Sequence, residues 1–538
     1  MRTDCVRAVQ ARARTGRARA ARFHNRNHAL TAFIGCSCST DAGRDCAAFN
    51  GMIPKLLGTC VAFKYFRTMS KQKNIQVICL WLLFSTLGSI VRAEGFTNTG
   101  DIKMFLDENF SKKNIAIVVG LVDEHRSQMF SAGTLDNGTG GKPDGDTLFE
   151  IASITKTFTV LLLEEMVERG EMKLDDPVQK YLPESVKVPT HNGKPITLLD
   201  LATHSSGLPR DPDNLTPTRG LPENAFADYT VERMYQFLGS YVLSRDPGAQ
   251  VEYSNVGLAL LGHALARKAD INYESMVIEH ICQPLKMDST RITLTPEMKK
   301  RLAGGHDERG NRAPDWNFLA YDGTGGLHSS ANDLLKYVSA NIGLVKSDLT
   351  PLMEKTHMIR FRNTPHGDMA MSWSVRGEGL EPGRTLLGHA GGSGGYETFI
   401  GFDETQRKGV VVLCSQQGGM SPESLGWLLL KGIPLSPAIA RALSPAGDAI
   451  GVGVGLALDP TNHVLRITQV LSNSPAAQAG LSAGLIVQRI DETPVAGRGL
   501  MECVGLIRGI AGTKVRLELL DPDDSETKTV ELIRRKSG

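Results

Sequence analysis

Strand-like apolar runs stand at both ends of residues 100–432, with a long and mostly helical pattern between them. At the front, Ile115 to Asp123 (IAIVVGLVD) and Arg126 to Leu135 read as two strands joined by a tight turn. At the back, strand patterns recur at 384–389, 396–403 and 409–414. Residues 175–345 carry helical spacing broken by Pro- and Gly-rich loops. A sheet assembled from strands so far apart must enclose what lies between them. The expected architecture is one α/β (α+β) sheet built from both ends of the domain, with a helical insertion. Thr155 to Glu168 reads as a helix ended by Gly170, and 421–431 as a closing helix. Thr197 with Asp200, and Ser330 with Asp333, have the spacing of helix-starting capping boxes.

The 538 residues are too many for one core. Residues 433–448 include three Pro and little charge and read as a linker, and from Ala449 the pattern changes to short strands with one helix. Charge divides the chain differently. Residues 1–68 hold ten Arg, two Lys and three Asp, a net +9, and residues 69–93 add +3. Against a whole-chain charge of +2, everything from Glu94 onward carries −10. A mildly acidic body argues against a nucleic-acid partner.

Residues 69–93 account for part of this asymmetry. Lys71 and Lys73 precede an apolar run from Ile75 to Ile90, and Val91-Arg92-Ala93 supplies a cleavage site after Ala93. That is the pattern of a secretory signal, shorter than a membrane span, so the mature form is expected in the periplasm or secreted, with no stable span. An uncleaved N-terminal anchor is the alternative. Residues 1–68 are Arg- and Ala-rich and acid-poor, and read as a spurious extension upstream of a start at Met69; a mitochondrial presequence is the rival. Six of nine Cys precede residue 94, and Cys282, Cys414 and Cys503 have no metal-ligand spacing and read as buried thiols.

Ser153-Ile154-Thr155-Lys156 opens the 155–168 helix, and at i and i+3 the two side chains share a face. The helix N-terminus stabilises developing negative charge there. Lys156 can take the hydroxyl proton if burial keeps it neutral. Spacing alone proves little, because Ser70 to Lys73 and Ser525 to Lys528 match it too; a helix N-cap is the plain alternative for Ser153. Two further motifs follow in order. Tyr253-Ser254-Asn255, the only Tyr-x-Asn in the chain, precedes an apolar helix from Val256 to Ala266. His389-Ala390-Gly391-Gly392 follows a strand and opens a Gly-rich segment ending at Tyr396.

Ser-x-x-Lys, Tyr-x-Asn and Lys- or His-x-Gly, in that order, resemble the serine β-lactamase and D,D-peptidase superfamily. The likeness is greatest to its class C β-lactamase, D-alanyl-D-alanine carboxypeptidase and esterase branch. Phe149 to Ala152 (FEIA), Leu199 to Pro209 (LDLATHSSGLP) and Gly323 to Ser330 (GTGGLHSS) agree with it. The resemblance implies a β-lactamase/transpeptidase-like antiparallel sheet over about residues 100–432. It implies an acyl-enzyme on Ser153, with Lys156 and Tyr253 sharing general-base work in an order the sequence leaves open. It further implies an oxyanion hole from the Ser153 and Gly392 amides, and substrate contacts from Gly391 and Asn255, although Asn255 also reads as a turn-stabilising residue. His389 would contact a substrate carboxylate or polarise Tyr253. No metal or cofactor is implied. Class C β-lactamases usually carry Lys where this chain has His389, which weakens attraction for an anionic β-lactam. Trp373, Tyr396 and Phe402 read as core packing.

Ser474 to Leu481 (SPAAQAGL), Gly484 to Val487 and Ile490 to Val495 resemble a PDZ domain of the bacterial protease type, over about residues 449–535. In that fold a peptide C-terminus adds as a strand beside a loop of backbone amides. By position the loop is Ala449-Ile450-Gly451-Val452; Leu485 replaces the usual acidic residue after Gly484. Two functions fit the whole chain. One is an exported serine hydrolase acting on a D-alanyl peptide, an ester or a β-lactam, with a PDZ module for a protein C-terminus. The other is a catalytically weak peptide- or cell-wall-binding scaffold.

Overall fold

The computed structural model describes Phe96 and residues 99–215, 224, 226–364, 367–377, 380–443, 450–459, 464–522 and 526–536. The expected extension 1–68, the signal segment 69–93 and Ala449 lie outside the described residues. No helix among the described residues is long and apolar enough to cross a membrane.

Strands β1 (Ile117–Val122), β2 (Ser127–Ala132), β3 (Phe361–Thr364), β4 (Gly367–Met369), β5 (Ser374–Arg376), β6 (Leu386–Gly392), β7 (Glu397–Asp403) and β8 (Lys408–Cys414) form one antiparallel sheet. Its order is β2-β1-β8-β7-β6-β5-β4-β3, so the first and last strands of the domain lie side by side, with Val119 opposite Val412. The apolar runs of β1, β7 and β8 are nearly continuous because both faces of the sheet are covered. Ile117, Val119, Val410 and Val412 pack with α1 (Thr99–Phe110) on one face. Val118, Val411 and Leu413 pack with the helical insertion on the other.

Within the insertion, α2 (Thr155–Glu168), α3 (Asn255–Ala269) and α4 (Ala331–Asn341) carry most of the core. Every residue of α2 from Thr155 to Glu164 is buried, the pattern of a helix with no solvent face. Helix α4 lies close against the sheet because Gly409 has no side chain; a Cβ there would meet Val338 at 2.2 Å. Thr197 and Asp200 form a complete capping box. Ser330 caps α4 one way only, since the Asp333 carboxylate instead accepts from the Ser289 N–H at 2.7 Å. Sequence patterning missed β3, β4 and β5, which are short, polar and at the sheet edge. It also missed the pairing of Leu148–Glu150 with His328–Ser330.

Helix α5 (Pro422–Leu430) closes the domain against β7 and β8. Part of the expected linker is helical as well: α6 (Pro437–Leu443) buries Ile439 and Leu443 in the cluster that holds α1 and α5. Beyond it, β9 (Val454–Leu458), β10 (Leu465–Val470), β11 (Ile486–Ile490), β12 (Lys514–Leu520) and β13 (Thr527–Ile533) form a second sheet in sequence order. Helix α7 (Leu500–Ile507) covers it through Cys503 and Ile507. Helices α6 and α7 pack backbone to backbone. Arg441 Nε donates to the Gly505 carbonyl at 2.9 Å, and Arg508 Nη1 donates to the Ala442 carbonyl at 2.7 Å.

A Cβ at Gly505 would lie 1.6 Å from the Ala438 carbonyl oxygen. Gly505→Val is therefore expected to destabilise this contact by about 1–3 kcal/mol. It should lower the melting temperature and create a protease-sensitive site between residues 433 and 448. A melting curve and digestion pattern identical to wild type would rule out the packing as decisive.

Candidate active site

Ser153 stands where a strand is forced into a helix. After Leu148–Glu150, Ala152 adopts φ +45°, and a short 3₁₀ turn (Ala152–Ile154) leads into α2. A positive φ on alanine is strained and holds only where its surroundings fix it. Strand β6 does the fixing: Gly391 lies so close that a Cβ would sit 2.2 Å from the Ile151 carbonyl oxygen. The Thr398 hydroxyl donates to that same carbonyl at 3.2 Å.

Lys156 is fully buried, with Nζ 2.8 Å from Ser153 Oγ. Its amine also donates to the Thr324 carbonyl at 3.0 Å. Burial holds its pKa well below the usual lysine value, and the nearby Arg210 charge lowers it further. In its neutral form, an amine that gives one N–H to Thr324 would have a lone pair available within reach of the serine hydroxyl. Thr324 is itself positioned by a hydrogen bond from its hydroxyl to the Asn255 carbonyl at 2.8 Å.

Tyr253 lines the same cleft as Ser153, and burial pushes its phenol up to about 12, an effect that the nearby Ser153 hydroxyl partly offsets. Its ring stacks on His204 at 4.4 Å between centroids, and Lys156 Nζ lies 5.0 Å from the ring centre. His204 Nδ1 accepts the Ser254 N–H at 3.1 Å, which fixes the imidazole against the tyrosine. Ser254 caps α3 by accepting from the Gly257 N–H at 3.0 Å. One cap thus orients both the helix and the Tyr253 loop.

His389 projects from β6 and is nearly buried. Burial presses its pKa down to about 3, with Lys156 adding to the effect only where that amine is protonated, so the ring is neutral at ordinary pH. Its Nδ1 donates to the Ala390 carbonyl at 2.7 Å. The sign follows: unfolded histidine takes a proton near pH 6.5, so this group's stabilising effect is lost as pH falls from there toward 3. Glu150, just before the serine turn, is pushed up to about 8 by burial and accepts the Trp316 N–H at 2.6 Å.

Ser153, His204, Arg210, Tyr253, His389, Gly391 and Gly392 line one cleft of about 1280 Å³. Asn255 is not among the residues lining it; its Nδ2 donates to Asp211 at 3.1 Å, a bond that fits the turn-stabilising alternative. Trp373, Tyr396 and Phe402 are buried in the core away from the cleft. His204, Arg210 and Thr324 were not singled out from sequence. The signal was present: His204 and Thr324 stand inside LDLATHSSGLP and GTGGLHSS, and Arg210 follows the first phrase directly. Of the expected peptide loop, Ile450–Gly451 form a strand paired with Arg535–Lys536, and Val452 is a core residue whose carbonyl accepts from the Ala476 N–H. Among the described residues no group of three or more His, Cys, Asp or Glu could hold a metal ion.

Residues 106–432 match the Beta-lactamase family, and residues 444–520 match the PDZ domain. The chain belongs to the β-lactamase family. The D-alanyl-D-alanine-carboxypeptidase/endopeptidase AmpH of Escherichia coli K12 is 31% identical over 313 residues, covering 56% of this chain and 79% of that protein. Putative beta-lactamase-like 1 of Homo sapiens is 29% identical, covering 60% and 63%. The crystal structure of a class C β-lactamase from Rhodobacter sphaeroides superposes with a TM-score of 0.52 at 25% identity, covering 59% of this chain and 95% of that one. The chain is therefore a serine hydrolase of the β-lactamase and D-alanyl-D-alanine carboxypeptidase type, joined to a PDZ domain.

Loss of the buried amine should show directly in kinetics. Lys156→Ala is expected to lower kcat/KM for p-nitrophenyl acetate by roughly 10²–10⁴. In the wild type the rate should fall on the acid side as Lys156 gains a proton, with no separate inflection near pH 6.5 from His389. A histidine-like limb at pH 6.5 that vanishes in His389→Gln would contradict the neutral ring.

Proposed function

We propose that this hydrolase acts through an acyl-enzyme on Ser153, that its substrates are D-alanyl peptides or simple esters in preference to β-lactams, and that it is exported. One observation carries the mechanism: the amine of a fully buried Lys156 lies 2.8 Å from the serine hydroxyl, where burial favours its neutral form. A Tyr253 phenol raised to about 12 resists becoming phenolate, so Lys156 is the group that takes the first proton. Ser153 Oγ attacks the carbonyl carbon as its proton passes to Lys156 Nζ. The Ser153 and Gly392 amides stabilise the oxyanion. The proton then passes through Tyr253 to the departing nitrogen or oxygen as the scissile bond breaks. Water, deprotonated along the same pair, releases the acyl group and restores Ser153.

The substrate preference rests on His389. A neutral imidazole offers no ionic partner on the β6 wall to a β-lactam, whose ring fixes its carboxylate relative to the reactive carbonyl, whereas a flexible D-alanyl peptide can turn its carboxylate to another wall. Export is supported by Lys71, Lys73, the apolar run Ile75 to Ile90 and the Val91-Arg92-Ala93 site. The PDZ domain supports capture of a protein C-terminus, by strand addition.

A fluorophosphonate or fluorescent penicillin should label the wild type covalently and leave Ser153→Ala unlabelled; equal labelling would end the acyl-enzyme reading. His389→Lys should raise nitrocefin turnover relative to p-nitrophenyl acetate turnover, and an unchanged ratio would mean residue 389 does not set that preference. Mass spectrometry of exported protein should find Glu94 at the N-terminus.

A further inference from the structure

A solvent-open cation, Arg210, lines the same cleft as His389. Arg210 follows LDLATHSSGLP, and its carbonyl accepts the Asn255 N–H at 2.8 Å, which ties it to the Tyr253 loop. Its guanidinium lies 5.1 Å from the Tyr253 ring centre, while 70% of the side chain remains open to solvent. Its ion pair with Asp211 is long, at 3.8 Å, and Asp211 also accepts from Asn255 Nδ2.

The other cations at this cleft are placed for other work. Lys156 is buried beneath the serine. Arg376 pairs with Glu423 at 2.8 Å and stacks over Trp427 at 4.6 Å. Lys431 ends α5, where its charge faces the carbonyl end of the helix. Of the two cations beside Tyr253, Lys156 is buried and Arg210 is open to solvent, with a guanidinium fork that suits a carboxylate.

We propose that Arg210 is the anion receptor of this cleft, seating a substrate carboxylate against its guanidinium above the Tyr253 ring. The inference rests on the D-alanyl reading above and assigns the substrate a carboxylate, either at the C-terminus of the leaving group or on the acyl side. Stacking on Tyr253 holds the planar group in place, so little side-chain freedom remains to be lost on binding. Recognition thereby moves from the strand wall, where residue 389 is neutral, to the loop wall.

Binding to full-length Ser153→Ala tests this without any turnover, separately from the covalent labelling that tests the nucleophile. Three ligands are titrated calorimetrically: an N-acetyl D-alanyl-D-alanine peptide with a free C-terminus, its C-terminal amide, and that amide bearing an N-succinyl group. One of the two anionic ligands should bind roughly ten- to a hundredfold tighter than the neutral amide. Which one does so locates the carboxylate on the leaving or the acyl side. Adding Arg210→Gln should erase the difference, and Arg210→Lys should restore part of it. Equal affinity for all three ligands, absence of binding, or a difference that survives Arg210→Gln would overturn the proposal.

Discussion

Lys156 reaches Ser153 from inside the protein, along a helix that has no exposed face through its first ten residues. Keeping that amine dry organises the domain. Helices α3 and α4 and the sheet enclose α2, and the Thr324 carbonyl supplies the one polar contact that orients the amine beside its serine. Were water to reach Nζ, its pKa would return toward that of an ordinary lysine and the lone pair would be occupied. The strained Ala152, the side-chain-free Gly391 and the Ser254 cap all serve the same geometry from different elements.

Much of this was legible before any coordinates, for identifiable reasons. Strands β1, β7 and β8 are apolar on both faces and announce themselves as unbroken runs, and α2 begins and ends where its spacing predicts. Ser153, Lys156, Tyr253 and His389 come together at one cleft because a short motif fixes each, three of them at a helix start and His389 within strand β6. Contacts made by main-chain atoms were not legible. The Thr324 carbonyl and the backbone approach at Gly391 depend on how distant segments meet, which residue type does not encode. Asn255 illustrates the limit: the sequence left a substrate contact and a turn-stabilising role both open, and the pairing of its amide with Asp211, 44 residues earlier, could not be read from it.

The same limit governs the junction of the two domains. Residues 433–448 have the composition of a tether, yet α6 lies partly in the core under the sheet and partly against α7. Small residues decide this, since Ala438 and Gly505 let two backbones touch. Composition reports that a segment is poor in charge; it does not report that a glycine elsewhere has left room for it.

Burial of Lys156 also ties the working range of the protein to its folding. In the unfolded chain this lysine holds its proton at every pH below about 10.4. In the folded chain the proton is refused down to a much lower pH. Folding is therefore opposed more strongly as pH falls through that interval, and the opposition levels off only when the buried amine itself becomes charged. On the mechanism proposed above, the serine loses its base at that same point. A single side chain thus sets an acid floor twice over, and selection for a lower floor would have to move both together.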